Sequence, residues 1–226
     1  MSFFFEVLIG GLLSGVMYSL VALGFVLIYK ASGVFNFAQG SLVFFAALTF
    51  VGLQDEPIQA ISDATGMNVS KFDLSAAGIA AVLVLALAFF FARTRVGRAL
   101  RAVADDHQAA LAVGIPLQYI WAIVWSVAGC VALVTGLLWG ARNGVQFALT
   151  FVALKALPVL ILGGFESVPG AIVGGLIIGA SEKLAEVFLG PYVGGGIEGW
   201  FPYVLALLFL LVRPEGLFGE KIIRRI

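Results

Sequence analysis

Long uncharged runs alternate with short polar segments along the chain. No Asp, Glu, Lys or Arg occurs in residues 7–29, 31–53, 74–92, 117–141 or 199–212. A helix needs about 20 residues to cross the hydrocarbon core of a bilayer. The pattern therefore predicts an all-α fold, a polytopic helical membrane protein with about six to eight transmembrane or re-entrant helices. The predicted membrane segments lie near residues 7–29, 36–53, 74–92, 117–140, 147–164, 168–186 and 199–212.

Composition supports a membrane protein and excludes several other classes. Charged residues make up 12% of the chain, about half of the usual share of roughly 25%. The formal net charge is zero, which gives no support for a nucleic-acid partner. The single cysteine, Cys130, excludes an internal disulfide or a cysteine-based metal cluster. The N-terminal MSFFFEVLIGG has no basic region, so we expect no cleaved signal peptide.

The distribution of Lys and Arg predicts the orientation in the membrane. Four arginines fall between two apolar runs, and four basic residues fall in the C-terminal tail, so both regions are predicted to be cytoplasmic. The loop 54–73 is acidic and is predicted to be external, as is 187–198. Three spans before the Arg-rich loop and four after it satisfy this scheme, with the N-terminus outside. A re-entrant segment in place of one span would change the count. The basic residues are Arg93, Arg95, Arg98, Arg101, Arg213, Lys221, Arg224 and Arg225.

The polar stretch 97–116, GRALRAVADDHQAALAVGIP, predicts one short helix over 106–113. Asp105 is the predicted N-cap, with Gln108 completing a capping box and Asp106 favouring the positive end of the helix dipole. Gly114 is predicted to take the left-handed position after the helix, and Pro116 prevents its continuation. So short a helix is unstable alone in water and needs a surface to pack against. The alternative is an ordinary loop at the membrane surface.

Five stretches together resemble one transporter family. They are YSLVALG at 18–24, GVFNFAQG at 33–40, GRALRA at 97–102 with the Asp-Asp, Ala-Ala and Gly-Ile pairs that follow, KALPVLILGGFESVPGAIVGG at 155–175 and RPEGLFG at 213–219. In this order they resemble the branched-chain amino acid permeases of ABC importers, whose relatives carry urea and short amides. The sequence departs from that family at Gln39, where His is frequent. It also lacks expected spans between GVFNFAQG and the Arg-rich loop.

The resemblance implies one transmembrane permease domain over 1–226, with a cytoplasmic coupling loop at 93–116 that docks on an ATPase. It implies as partners separate ATP-binding subunits, a second permease subunit and an extracytoplasmic substrate-binding protein, in the bacterial inner membrane. No cofactor is expected. The chain has no GxxxxGK[ST] phosphate loop, so we expect it not to be an enzyme. The expected ATPase-coupling residues are Arg98, Arg101, Asp105, Asp106, Ala109, Ala110 and Gly114.

Polar residues inside apolar segments are candidates for the translocation path. Asn36 and Gln39 interrupt an uncharged run, where they either line a cavity or hydrogen-bond between helices. Lys155 is an isolated intramembrane charge, which faces a cavity or a partner, or else extends to the interface. It could meet the carboxylate of an amino acid. Pro158 with Gly163 and Gly164 predicts a broken helix.

Two polar residues, Glu166 and Ser167, follow this predicted break. Glu166 could pair with a cation on a partner subunit, and Ser167 could cap the next helix. The G-x-x-x-G ridges at 11–15, 170–174 and 175–179 are interpreted as close helix packing.

The sequence thus predicts the permease subunit of an ATP-driven importer for branched-chain or related amino acids. Three alternatives stay open at this point. The same scaffold could carry urea, amides or simple sugars. The chain could be a stand-alone channel or secondary transporter, which would need no ATP. It could also be a helical scaffold that transports nothing.

Overall fold

The computed structural model describes residues 2–33, 43, 69–143 and 151–219, and every extended element in these ranges is helical. The predicted segment 36–53 lies outside the described residues except for residue 43, and so does most of the predicted external loop 54–73. The α-helices are α1 (Ser2–Ser32), α2 (Lys71–Arg93), α3 (Arg95–Asp105), α4 (His107–Ala112), α5 (Leu117–Asn143), α6 (Val152–Gly163), α7 (Val168–Val193) and α8 (Phe201–Val212), with a 3-10 turn at Ile197–Gly199.

Three of these helices, α1, α2 and α5, are long and apolar enough to cross a membrane alone, which confirms an all-α membrane protein. A fourth candidate is the pair α6 and α7, which bends by 114°. The predicted membrane segments 147–164 and 199–212 contain short helices, and residues 147–150 of the first lie outside the described residues. There α6 and α8 have 12 residues each, about 18 Å of helix against a hydrocarbon core of about 30 Å.

Helix α1 forms the centre of the bundle. Its residues from Ser19 to Ile28 are all buried, and it packs most extensively against α7. The two backbones approach closely because glycines face each other, Gly11 against Gly179 and Gly15 against Gly175. A Cβ atom at any of these four positions would overlap the backbone opposite. The interpretation of the G-x-x-x-G ridges as close packing holds for this pair of helices.

Side-chain contacts at the two ends of the bundle show that α1 and α2 run parallel. At one end, Trp121 at the start of α5 donates a hydrogen bond to the carbonyl of Ala31 at the end of α1 (3.0 Å). At the other end, Arg142 pairs with Asp73 at the start of α2 (3.4 Å) and donates to Ser14 (3.1 Å). The end that carries α3 and α4 is called the loop end below.

The bend between α6 and α7 falls at residues 163–167, called the elbow below. Pro158 lies inside α6 without ending it, and the helix breaks at Gly164, whose φ is +100°. Ser167 caps α7 as predicted, accepting a hydrogen bond from the backbone N–H of Gly170 (3.0 Å). The C-terminal segment completes the elbow. The N–H groups of Leu217 and Phe218 donate to the carbonyls of Leu162 and Gly163 at 2.8 and 3.1 Å.

Candidate functional site

Helix α3 is amphipathic and lies on the loop end of the bundle. Thr94 caps it, with its hydroxyl oxygen accepting the N–H of Gly97 at 3.1 Å. Leu100 and Val103 face inward and are buried, whereas Arg98 and Arg101 are exposed. Because an apolar stripe anchors this short helix, its charged face is held at a fixed position.

The N-cap of α4 is Asp106, so the predicted Asp105 cap with a Gln108 capping box is wrong. One carboxylate oxygen of Asp106 accepts the backbone N–H groups of Gln108 and Ala109 at 2.8 and 3.1 Å. Asp105 is instead the last residue of α3, because the N–H of Asp106 still bonds to the carbonyl of Ala102 (3.1 Å). The chain leaves helical geometry only at Asp106, with φ −155° and ψ 113°.

The C-terminus of α4 confirms the prediction for Gly114, whose φ is +85°. The N–H of Gly114 bonds to the carbonyl of Leu111 (2.9 Å), and the N–H of Ile115 bonds to that of Ala110 (3.0 Å). This pair of hydrogen bonds is the Schellman arrangement, which satisfies carbonyls that a helix end leaves unpaired. Six residues therefore form a helix with both ends fixed.

The two faces of α4 have different surroundings. Ala110 is buried under the helix, in an apolar cluster formed with residues from α1, α3 and α5. The members of this cluster are Leu27, Ala31, Leu100, Val103, Ala110, Ile120 and Val124. The outer face carries Ala109, Leu111, Ala112, Val113 and Gly114, all exposed. Leu111 and Val113 expose 54% and 82% of their surface, so any partner of this helix meets an apolar surface.

A second polar site lies inside the bundle. The ammonium of Lys155 on α6 contacts a carboxylate oxygen of Glu182 on α7 at 2.8 Å. The hydroxyl of Tyr18 on α1 donates to the same oxygen at 3.1 Å. The Glu182 side chain is 2% exposed and that of Lys155 is 28% exposed. These three residues, called the polar cluster below, join three helices through one ion pair whose carboxylate is buried.

A cavity of about 290 Å³ adjoins the polar cluster. Tyr18 and Lys155 line it together with the aromatic side chains of Trp139, Phe151 and Tyr203. The Trp139 ring stacks on Tyr18, with ring centroids 5.4 Å apart. The second carboxylate oxygen of Glu182 is buried without a hydrogen-bond partner among the described residues. The cavity thus places one charged group, the Lys155 ammonium, among mainly apolar and aromatic walls, and a few polar groups in an apolar pocket are the usual makeup of a small-molecule site.

Sequence reasoning singled out Lys155 but missed Glu182. A carboxylate lies inside the predicted segment 168–186, and a charge within a membrane helix requires a partner of opposite sign. The predicted segments hold four charged residues, so that rule alone does not decide which carboxylate pairs with Lys155; the four are Lys155, Glu182, Lys183 and Glu186. Tyr18 carried no such signal, because it lies in α1, 164 positions away from Glu182.

The remaining predicted path residues do not gather around Lys155. Gly163 and Gly164 form the elbow, about 12 Å along the axis of α6 from Lys155. The residue Glu166 is exposed on the elbow, and its backbone carbonyl accepts a hydrogen bond from Lys30 (3.4 Å). Asn36 and Gln39 lie outside the described residues. In the described ranges, no three His, Cys, Asp or Glu residues are grouped to hold a metal ion.

A third set of charges closes the turn between α7 and α8. The Lys183 ammonium contacts the carboxylate of Glu198 at 2.9 Å. Glu186 accepts the N–H groups of Gly196 and Glu198 at 3.0 and 2.9 Å. The hydrogen bond from Lys183 lowers the pKa of Glu198 below its usual value of 4.5. These contacts tie a glycine-rich turn to the body of α7.

Comparisons with known proteins agree with one another. A family model described as "Branched-chain amino acid transport system / permease component" matches residues 55–213. The high-affinity branched-chain amino acid transport system permease protein LivH of Salmonella typhimurium is 24% identical over 306 positions, covering 99% of this chain and 98% of the relative. Since this chain has 226 residues, that alignment includes gaps in it.

Two further relatives match over part of their length. The permease protein BraD of a branched-chain amino acid transport system in Pseudomonas aeruginosa is 31% identical over 168 residues, which are 73% of this chain and 53% of the relative. The autoinducer 2 import system permease protein LsrC of Escherichia coli is 31% identical over 112 residues, which are 48% of this chain and 32% of the relative. No solved structure matches this chain.

Proposed function

This chain belongs to the family of permease components of branched-chain amino acid transport systems, and we propose that it is the permease subunit of an ATP-driven importer of branched-chain or related amino acids. It hydrolyses nothing itself. Separate ATP-binding subunits drive it, a second permease subunit completes the pore, and an extracytoplasmic binding protein delivers the substrate. The complex lies in the bacterial cytoplasmic membrane, with the 93–116 loop and the C-terminus on the cytoplasmic side.

The observation that carries this proposal is the anchoring of α4. Its buried face packs on Leu27 and Ala31 of α1 and on Ile120 and Val124 of α5. Helix α3 connects it to α2 through Thr94 alone. A force applied to α4 from outside would therefore reach three membrane helices through close-packed side chains, which transmit strain well.

The outer face of the 93–116 loop supplies the docking surface. Leu111 and Val113 offer apolar contact, and Arg98, Arg101 and Asp105 surround it with exposed charges. An apolar patch with a charged rim is the common anatomy of a protein interface. Ala109 and Gly114 allow close approach of the partner. Ala110 and Asp106 contribute indirectly, since the first anchors α4 and the second caps it.

The polar cluster supplies the substrate contact. A zwitterionic amino acid carries a carboxylate that Lys155 can bind from the adjoining cavity, while the buried Glu182 positions the Lys155 ammonium. The aromatic wall of the adjoining cavity suits an aliphatic side chain. On this proposal the elbow, with Gly163 and Gly164, is the part of the path that moves between states. Glu166 lies on its exposed side, where a cation of the second permease subunit can reach it.

The test is affinity purification of the chain from its native membranes, with identification of the subunits that co-purify. We expect ATP-binding subunits in the purified complex. Val113→Asp should abolish their association and amino-acid uptake while the chain stays folded, because this side chain has no role in the interior. Val113→Ile is the matched control and should retain both. Full association and uptake with Val113→Asp would refute the docking surface.

A second substrate class has a specific observation in its favour, which is the 31% identity to a permease named for autoinducer 2 import. Competition assays decide between the two. If excess isoleucine inhibits the uptake of labelled leucine and sugars do not, the result would support amino acids as the substrate class. ATP-independent uptake by the chain alone in proteoliposomes would refute both candidates and favour a stand-alone transporter.

A further inference from the structure

A cavity of about 450 Å³ opens at the loop end of the bundle. It lies between the last turns of α1 and α2, helix α3 and the elbow. None of its lining residues belongs to the polar cluster, so it is separate from the proposed substrate contact. Its position places it directly between the 93–116 loop and the bend of α6 and α7.

Two cations line this cavity, Lys30 and Arg101. Among the described residues, the Lys30 ammonium donates to the backbone carbonyl of Glu166 (3.4 Å), and the Arg101 guanidinium donates to that of Ala92 (3.3 Å). Within the described ranges, neither cation forms an ion pair with a carboxylate. Glu166 contributes the one acidic side chain of the lining. Two cations against one anion favour a negatively charged ligand.

The rest of the wall is mainly apolar. Leu27, Phe91, Ile172 and Phe218 contribute from four separate segments of the chain. A small inorganic anion would gain nothing from such a wall, because it has no apolar surface to bury. A ligand with an anionic head and a hydrocarbon chain would satisfy both parts of the cavity.

The depth of the cavity fits a membrane lipid. Lys30 is in the last turn of α1 and Phe91 is in the last turn of α2, two helices that qualify as membrane spans. The ends of spanning helices lie at the level of the lipid headgroups. Basic pockets between helices at this level bind anionic headgroups.

We propose that this cavity binds one anionic phospholipid. Its phosphate is held by Lys30 and Arg101, and part of an acyl chain lies against Phe91 and Ile172. The bound lipid would connect α3 to the elbow, so it would hold together the two regions that the transport cycle must move. The proposed lipid site depends only on the fold. The proposal therefore does not depend on which substrate the transporter carries.

The experiment is native mass spectrometry of the purified chain, titrated with phosphatidylglycerol or with phosphatidylcholine. We expect one phosphatidylglycerol molecule to bind more tightly than the rest, and no comparable phosphatidylcholine. The double variant Lys30→Gln/Arg101→Gln should weaken that first binding step on the order of tenfold or more. Lys30→Arg/Arg101→Lys keeps both charges and should bind within about threefold of the unchanged chain.

A matched control separates this site from general basic attraction. Arg95→Gln/Arg98→Gln also removes two positive charges, both from α3, and neither residue lines the cavity. It should bind phosphatidylglycerol within about threefold of the unchanged chain. An equal loss in the control and in the cavity variant would overturn the proposal. Melting temperatures of all variants exclude misfolding as the cause.

Two further measurements test the two halves of the ligand. Ala88→Trp fills part of the apolar wall without changing charge, and it should weaken phosphatidylglycerol binding about as much as removal of the cations does. Millimolar inorganic phosphate should not displace the lipid. Displacement by phosphate, with no effect of Ala88→Trp, would show a site for a free anion and would refute the lipid.

Discussion

The 93–116 loop and the polar cluster are held in place by opposite means. The loop depends on hydrogen bonds between residues two to five positions apart, such as Asp106 to Gln108 and Ile115 to Ala110. The polar cluster depends on two side chains that contact Glu182 from distant positions in the sequence. Lys155 is 27 positions away from Glu182, and Tyr18 is 164 positions away. The loop presents an exposed face whose residues can change without unfolding the chain. The cluster joins three helices, so stability and transport are expected to change together there.

The largest effect is expected where the buried charge pair is broken. Lys155→Met leaves the Glu182 carboxylate buried without its cation, which should destabilise the fold by about 3 kcal/mol or more and abolish uptake. The double variant Lys155→Met/Glu182→Leu removes both charges and should recover most of that stability, but not uptake. Thermal unfolding in detergent and uptake in cells measure the two effects. A double variant as unstable as the single one would contradict this account of the pair.

Two glycines compare the 93–116 loop with the elbow at the end of α6. Gly164→Ala in the elbow combines a positive φ with a Cβ atom only 2.8 Å from the backbone nitrogen of Gly219, and should cost about 2 kcal/mol or more. Gly114→Ala in the loop has a positive φ but open space around it, and should cost about 1 kcal/mol. Thermal unfolding measures the loss of stability in each variant. A larger loss for Gly114→Ala than for Gly164→Ala would show that the elbow tolerates a side chain.

The capping residue of α4 gives a smaller and more local effect. Asp106→Ala should destabilise α4 by about 1 kcal/mol, and Asp106→Asn should restore most of it. Asp105→Ala should have little effect, because that residue ends α3 without capping α4. Hydrogen exchange of the α4 amides measures the difference. Equal effects of the two alanine variants would contradict the assignment of Asp106 as the N-cap and would favour Asp105.

Acid should produce the smallest effect, in the turn between α7 and α8. The pKa of Glu198 is lowered in the fold, mainly by its hydrogen bond to Lys183. Its stabilising contact is therefore complete above pH 4.5 and is lost as the pH falls through the lower, folded-state pKa. Hydrogen exchange at Gly194–Gly196 should rise in that acidic range. Lys183→Met removes this cause and should reduce the acid-dependent rise; the part that remains is expected from Glu186, which accepts the N–H of Gly196 and whose pKa the backbone hydrogen bonds lower.

The sequence predicted those parts of the molecule that local chemistry determines. Apolar runs located α1, α2 and α5, and Gly114 with Pro116 located the end of α4. The N-cap was displaced by one residue because two aspartates are adjacent. Which of them caps depends on where α3 ends, and the packing of Leu100 and Val103 extends α3 through Asp105.

Features that depend on distant residues were not predicted. The predicted break is present at Gly164, but the 114° angle that it produces between α6 and α7 was not predicted. The partner of Lys155 depends on how α6 and α7 fold back on each other, which no short window of sequence records.

The tail contacts at the elbow also have a consequence for biosynthesis. The last carbonyls of α6, on Leu162 and Gly163, are paired by N–H groups from Leu217 and Phe218. A ribosome makes those donors only after α7 and α8, so α6 cannot acquire its final hydrogen bonds while it is being inserted. Until translation reaches the RPEGLFG segment, the nascent elbow keeps unpaired carbonyls. We expect the elbow of the nascent chain to remain accessible to a membrane insertase or chaperone during this period. The elbow should become inaccessible only when the RPEGLFG segment has emerged and its N–H groups have paired with the two carbonyls.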